Sequence, residues 1–370
     1  MRTGYMLLLQ NAHKGMSDAE MVRNEMRIAE MAEPLGFDTI WSAEHHFDYY
    51  SIVPDNFQVL TYLAGRTSRI HLGTAAVILP WNDPLRVAEK ICMLDALCDG
   101  RFTLGLGRGL ARKEYRTFNI DMNESRDRFI ESARMILNAL RTGYIEGDGP
   151  FYKQLRTEIR PRPSGSFDGR VYGVAMSPDT APIVAEWGAR MMFFVQFSID
   201  KHMPGVELYR EHFQKHNRRE APPPLAIDFT FCDRDAGRAE EIARERIASY
   251  YLSVIKHYEF NVDYHGSLKG YEGYASASKI LNEMGLDKAA QEYADQQAWG
   301  TPRQILEKLE RRRLALGDYE WNVCGSFSGL PFKDVESSLR LIAKEVVPEV
   351  RSWGEDPFEP ARATAMAASS

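Results

Sequence analysis

Short apolar runs alternate with amphipathic stretches along most of this chain, which points to a fold of parallel strands joined by crossover helices. Residues 4–9 are apolar at successive positions, as suits a strand buried on both faces. Ser17-Asp18-Ala19-Glu20 then has the form of a capping box. Val22, Met26, Ala29 and Ala32 recur at helical spacing, and Gly36 is placed to end the helix. The cycle repeats, with strands expected at 38–42, 70–75, 101–105, 170–175, 190–195, 225–231 and 319–325. Helices are expected near 55–66, 84–98, 125–141, 180–188, 202–217, 235–250 and 333–346. Residues 252–298 break the rhythm, being rich in tyrosine, glycine and charge. Thr301-Pro302-Arg303-Gln304 restarts it with an N-cap, a proline at the first helical position and a closing glutamine.

Eight strands separated by helices without an abrupt change of composition predict a single α/β domain, a (β/α)8 TIM barrel over 1–354. A lid-like insertion at 252–298 precedes the last helices, and 355–370 form a loose tail. An open doubly wound sheet fits less well, because no early strand-to-helix turn carries GxGxxG. Gly105-Leu106-Gly107-Arg108-Gly109 follows the fourth strand and has the wrong spacing. A net charge of −6 leaves no electrostatic footprint for nucleic acid or an anionic membrane. Four cysteines without a CxxC pair disfavour a disulfide framework or zinc site and suit a reducing compartment. With no apolar run near the roughly 20 residues of a membrane span, and no signal-like start, the expected location is cytoplasmic.

The loops following barrel strands share one rim, so the chemistry is expected there. The second strand ends in Glu44-His45-His46-Phe47. Adjacent side chains at a strand end point to opposite sides, so at most one imidazole aims at the barrel axis. Two readings stand side by side: an acid–base group titrating near neutrality, or a hydrogen-bonded pair that holds Glu44 and the loop. No third metal ligand lies at a telling spacing, and His71 falls inside a strand, so no metal is expected. Arg108, between Gly107 and Gly109, can grip a phosphate bidentately. Arg126, at the start of the long helix, can reach the same place. Ser177 and Thr180 add hydroxyls after the fifth strand. The competing fate of both arginines is pairing with surface carboxylates; two arginines with two hydroxyls on neighbouring loops favour a phosphate site.

At these residues the sequence resembles the bacterial luciferase-like family of flavin-dependent monooxygenases, in pattern most like the luciferase α subunit. The resemblance runs through Gly36-Phe37-Asp38-Thr39-Ile40-Trp41, Glu44-His45-His46-Phe47, Gly73-Thr74-Ala75-Ala76, Leu79-Pro80 and Leu94-Asp95. It continues through Gly100-Arg101-Phe102, Arg108-Gly109-Leu110, Asp121-Met122 and Ser125-Arg126. It resumes at Val174-Ala175, Ser177 and Thr180, and more faintly at Gly300-Thr301-Pro302.

The resemblance implies an enzyme that binds reduced FMN and reacts it with O2 to a flavin hydroperoxide, which oxygenates a small organic substrate by hydroxylation or Baeyer–Villiger chemistry. The implied flavin contacts are Ala75, Ala76, Arg108, Gly109, Leu110, Arg126, Ala175, Met176, Ser177 and Thr180, with a non-proline cis peptide at Ala75-Ala76 under the ring. His45 matches the family's catalytic histidine, with His46 beside it. A separate reductase would supply reduced FMN, since no nicotinamide-binding motif is visible, and a homodimer is the family's usual state. Gly107 stands where luciferase has a reactive cysteine, and Met176 where it has a glutamate. Two alternatives belong to the same superfamily: a deazaflavin-dependent dehydrogenase or reductase, and a non-catalytic flavin-binding partner subunit. Retention of both His45 and the arginine set argues against the partner subunit.

Overall fold

The strands are β1 (Thr3–Leu7), β2 (Thr39–Ser42), β3 (His71–Thr74), β4 (Phe102–Gly107), β5 (Val171–Val174), β6 (Arg190–Phe194), β7 (Leu225–Phe229) and β8 (Glu320–Cys324). All are parallel and each pairs with its neighbours in sequence. β8 returns to β1, with Thr3 opposite Trp321 and Tyr5 opposite Val323, and the sheet closes into the expected (β/α)8 barrel. The computed structural model describes residues 1–354 apart from Pro178, Asp263 and Glu272, and the side chains of 273–277 are not described. The tail expected at 355–370 lies outside the described residues. Among them, no helix is long and apolar enough to cross a membrane.

The strands are mostly buried because both their faces are covered. β1 and β4 are buried at every position. Inside the barrel the fit is between large and small residues. Trp41 on β2, 1% exposed, meets Tyr172 on β5 edge to face at 4.9 Å. It has room because its neighbours Gly4 and Gly73 lack a Cβ: one at Gly73 would fall 2.4 Å from the indole, and one at Gly4 would fall 2.9 Å from it. Outside, Ser17 Oγ accepts the Glu20 N–H at the start of the helix Asp18–Glu30. The Thr301–Gln304 capping box forms in full at the helix Pro302–Leu316.

Several elements differ from the sequence expectation. The helix expected to end near Tyr250 continues as Ala236–Tyr258. Its buried residues there are Tyr250, Val254, Ile255 and His257, a mixed face that hides the helical repeat. The 252–298 stretch also holds the helices Gly273–Met284 and Leu286–Gln296. An antiparallel hairpin, Tyr144–Asp148 with Lys153–Glu158, leaves the barrel before β5; it is mostly solvent-facing and so carries no apolar run.

Glu25, on the first helix, is fully buried beside Ser326, whose hydroxyl donates to Oε1, while Oε2 has no hydrogen-bond partner. Burial pushes its carboxyl from 4.5 up to about 7, against the lowering effect of Ser326. Between those values the folded chain holds a proton that the unfolded chain releases, so this group's stabilising contribution is lost as pH rises through the window. Glu25→Gln is expected to gain about 3 kcal/mol relative to wild type between pH 4 and pH 8. Urea unfolding of both chains across that range measures it; parallel pH profiles would show that Glu25 is ionised in the fold.

Candidate active site

Two buried carboxylates support the site, Glu44 after β2 and Glu114 after β4. Glu44, 4% exposed, accepts the Ile78 N–H at 3.1 Å, Trp81 Nε1 at 2.7 Å and Asn82 Nδ2 at 2.8 Å, tying the segment after β3 to β2. His46 Nε2 lies 3.3 Å from the same carboxylate, and its ring packs edge-on against Phe118 at 4.8 Å. His46 therefore supports the loop and does not line the cavity. His45 points to the other side, as strand alternation predicts. Its Nδ1 is 3.2 Å from Glu114 Oε1 and its Nε2 is 3.4 Å from the Tyr258 hydroxyl.

Glu114 sits on a short helix, Arg112–Thr117, and is 1% exposed. It accepts the His46 backbone N–H at 2.8 Å as well as facing His45. Burial alone would push its carboxyl up; His45, His257 and the His46 N–H outweigh that and hold it below the usual range. His257, from the helix Ala236–Tyr258, stacks on Tyr50 at 4.4 Å and approaches Glu114 Oε1 to 3.9 Å. Burial lowers its pKa, partly opposed by Asp48.

Glu44, His45 and Glu114 wall a cavity of about 160 Å³ at the C-terminal mouth of the barrel. Ala75, Ala76, Arg108, Gly109, Leu110, Met176, Ser177 and Thr180 line it too, and the Ala75–Ala76 peptide is cis. Its inner end is aromatic, with Tyr50, Tyr250, Tyr258 and Tyr293. Ala175 is buried in the wall, its N–H bonded to Met192 O, and does not face the cavity. Arg126 lies outside the lining but meets Arg108 at one acceptor. Arg108 Nη1 donates to Gly270 O at 2.9 Å and Arg126 Nη2 to the same oxygen at 3.2 Å. Arg126 also pairs with Asp179 at 3.6 Å, and Ser177 Oγ meets Thr180 Oγ1 at 3.1 Å. Tyr271 covers the pair: its ring lies 3.9 Å from the Arg108 guanidinium and its hydroxyl donates to Gly109 O.

Two departures noted in the sequence have local reasons. A Cβ at Gly107 would lie 2.8 Å from Ile78 Cδ1 and 3.1 Å from Ala76 Cβ, so a cysteine here would require Ile78 to shift. Met176 turns its sulfur to the Phe194 N–H at 3.3 Å. Sequence reasoning missed Glu114, His257, Tyr258, Gly270 and Tyr271. None belongs to a motif, and each reaches the site only through tertiary closure.

This geometry agrees with what the chain is similar to. Its residues 1–319 match the luciferase-like monooxygenase family. The alkanal monooxygenase alpha chain of Photorhabdus luminescens is 27% identical over 337 residues, covering 90% of this chain and 92% of that one. Among solved structures, the oxygenating constituent of the Pseudomonas putida 3,6-diketocamphane monooxygenase, in complex with FMN, superposes with a TM-score of 0.73. It is 18% identical, with coverage of 94% and 98%. An F420-dependent secondary alcohol dehydrogenase superposes with a TM-score of 0.70 at 14% identity, with coverage of 95% and 99%. The two structures share the fold, and the match across most of the sequence places the chain in a family: it belongs to the luciferase-like monooxygenases.

Proposed function

We propose that this protein is a flavin-dependent monooxygenase that takes reduced FMN and O2 and oxygenates a small, largely apolar substrate. The observation that carries the reading is the convergence of Arg108 and Arg126 on one acceptor beside a cavity walled by His45 and floored by Ala75 and Ala76. Two guanidinium groups on a single neutral carbonyl form a seat suited to an anion, and a phosphate would make stronger, charge-assisted bonds to both. The small side chains of Ala75 and Ala76 leave room for a flat ring against the backbone. Bound reduced flavin would supply the electrons that activate O2; the remaining work falls to the chain.

His45 faces the cavity with Nε2, and Glu114 favours a proton on its Nδ1. This leaves the Nε2 lone pair towards the cavity and the Tyr258 hydroxyl, placed to accept a proton or pass one on. Tyr50, Tyr250 and Tyr293 exclude water from the inner end and suit an apolar or aromatic substrate. About 160 Å³ lies below the roughly 300 Å³ where ligand pockets begin. Flavin entry therefore requires the Gly270–Tyr271 segment to lift, and 252–298 act as the lid. Reduced FMN is supplied by a separate reductase, and the enzyme works in the cytoplasm as a homodimer. The four cysteines are free and buried, in keeping with a reducing compartment.

Anaerobic titration with reduced FMN, and in parallel with a reduced deazaflavin, decides the cofactor. FMN binding followed by oxygen-dependent product formation supports the reading; hydride transfer from the deazaflavin without oxygen consumption would replace it. Arg108→Ala is expected to weaken reduced-FMN binding about 10- to 100-fold, and an unaltered dissociation constant would remove Arg108 from the seat. His45→Ala is expected to leave that constant within about threefold while diverting consumed oxygen to hydrogen peroxide; unchanged coupling would end its proposed role. Gly270→Ala would place a Cβ 2.8 Å from Arg126 Nε and 2.9 Å from Arg108 Nη1 at a backbone φ of +80°. It is expected to loosen the lid and speed FMN association in stopped-flow mixing; a slower or identical rate would show that the segment does not gate entry.

A further inference from the structure

We propose that His45, Glu114 and His257 form a binding site for a divalent transition-metal ion beside the cavity. Sequence spacing offered no third ligand to accompany His45 and His46. The fold supplies two from elsewhere, Glu114 from the segment after β4 and His257 from the helix Ala236–Tyr258. The donor atoms of the three residues all lie within 4.8 Å of one another. His45 Nδ1 is 3.2 Å and His257 Nε2 3.9 Å from the same oxygen, Glu114 Oε1.

His257 is the second, independent observation. It is 5% exposed, and neither of its ring nitrogens has a hydrogen-bond partner. Buried polar atoms are nearly always satisfied, and leaving one without a partner costs about 1–3 kcal/mol. A separation of 3.9 Å is too long for a hydrogen bond but close to the span of two ligands on one ion. Metal–ligand bonds of about 2.0–2.1 Å at tetrahedral angles put donor atoms about 3.4 Å apart. The His45–Glu114 pair is already near that value, and His257 needs to close by about half an ångström.

The surroundings are those of a ligand set as well. Asp48 Oδ2 lies 3.7 Å from His257 Nδ1, on the far side of the ring from Glu114, the arrangement in which a carboxylate orients a metal-bound imidazole. Tyr258 lies 3.4 Å from His45 Nε2 and plays the matching part there. Two imidazoles and one carboxylate select ions such as Zn2+, Co2+ or Ni2+ over Mg2+ and Ca2+, which favour all-oxygen sets. Three protein ligands leave a fourth coordination position for water or another small ligand.

Occupancy has a consequence that rests on the role proposed for His45. With an ion on Nδ1, the remaining proton of the neutral ring sits on Nε2, and the cavity side loses its proton acceptor. The ion therefore inhibits turnover.

The test is Co2+ binding to the full-length protein, read by equilibrium dialysis and ligand-field absorption. A second donor group, Glu186, His212 and His216, lies at the surface and is removed first by the double substitution His212→Asn/His216→Asn. That protein is expected to bind one Co2+ per chain, and adding His257→Gln to weaken binding at least about 100-fold. Asp48→Asn, at a partly exposed position, is expected to weaken it about 10-fold while leaving all three ligands in place. It serves as the arbiter should the His257 variant fail to fold by circular dichroism. No stoichiometric Co2+ in the double variant, or binding unchanged by both His257→Gln and Asp48→Asn, would overturn the site. Neither readout involves flavin, so this result and the reduced-FMN titration fail independently.

Discussion

Closure of the sheet, Thr3 on β1 against Trp321 on β8, is the constraint from which the site follows. A closed ring of parallel strands turns all eight C-terminal ends to one rim. His45 after β2, Ala75 and Ala76 after β3, Arg108 after β4 and Met176, Ser177 and Thr180 after β5 meet there although they are spread along the chain. Closure in turn depends on filling the interior without overfilling it. Trp41 and Tyr172 occupy that space because Gly4 and Gly73 yield to the indole, so a side chain at either glycine would act on the ring as a whole.

The rim is built on buried charge, which is costly unless compensated. Three carboxylates show different compensation. Asp228 is matched by Arg312 at 2.5 and 2.9 Å, by Trp321 Nε1 at 3.1 Å and by the Ala298 N–H at 3.1 Å, and serves to anchor β7. Glu44 has no guanidinium. It collects neutral donors from the segment after β3 and so converts a strand end into a rigid loop. Glu114 is the least matched, with one backbone N–H and two imidazoles, one of them beyond hydrogen-bond distance. A carboxylate left in that balance keeps His45 in one orientation and makes the neighbourhood receptive to a proton or a cation.

What could be read in the sequence divides along this line. The strands were legible because burial on both faces makes them apolar at successive positions, and residues that end such runs, His45 and Arg108 among them, could be placed on the rim directly. The fates of His45 and His46 could not be separated, since alternation says only that they diverge; Glu44 and Glu114 decide which ring meets the cavity. Glu114 lies among charged residues on a helix of one and a half turns, where nothing marks it as buried. His257 and Tyr258 fell in a stretch whose buried face mixes tyrosine, valine and histidine, and no aliphatic repeat announced the extra helical turns. Gly270 was invisible for a simpler reason: its role belongs to its carbonyl, which every residue has.

That carbonyl ties the Gly270–Tyr271 segment to the rim. Two guanidinium groups share one neutral oxygen at 2.9 and 3.2 Å, each bond weaker than it would be to an anion. Tyr271 adds a cation–π contact with Arg108, of the order of 0.5–2 kcal/mol. The closed arrangement is thus stabilised by a modest sum, enough to keep Arg108 and Arg126 solvated by protein and small enough for an anion to displace. The same displacement would remove Tyr271 from the cavity wall, so anion capture and enlargement of the cavity become one event. Under the proposed function, the phosphate of the cofactor opens the space that its ring requires. On the same proposed reading, a ligand with the ring but no phosphate would leave Gly270 in place.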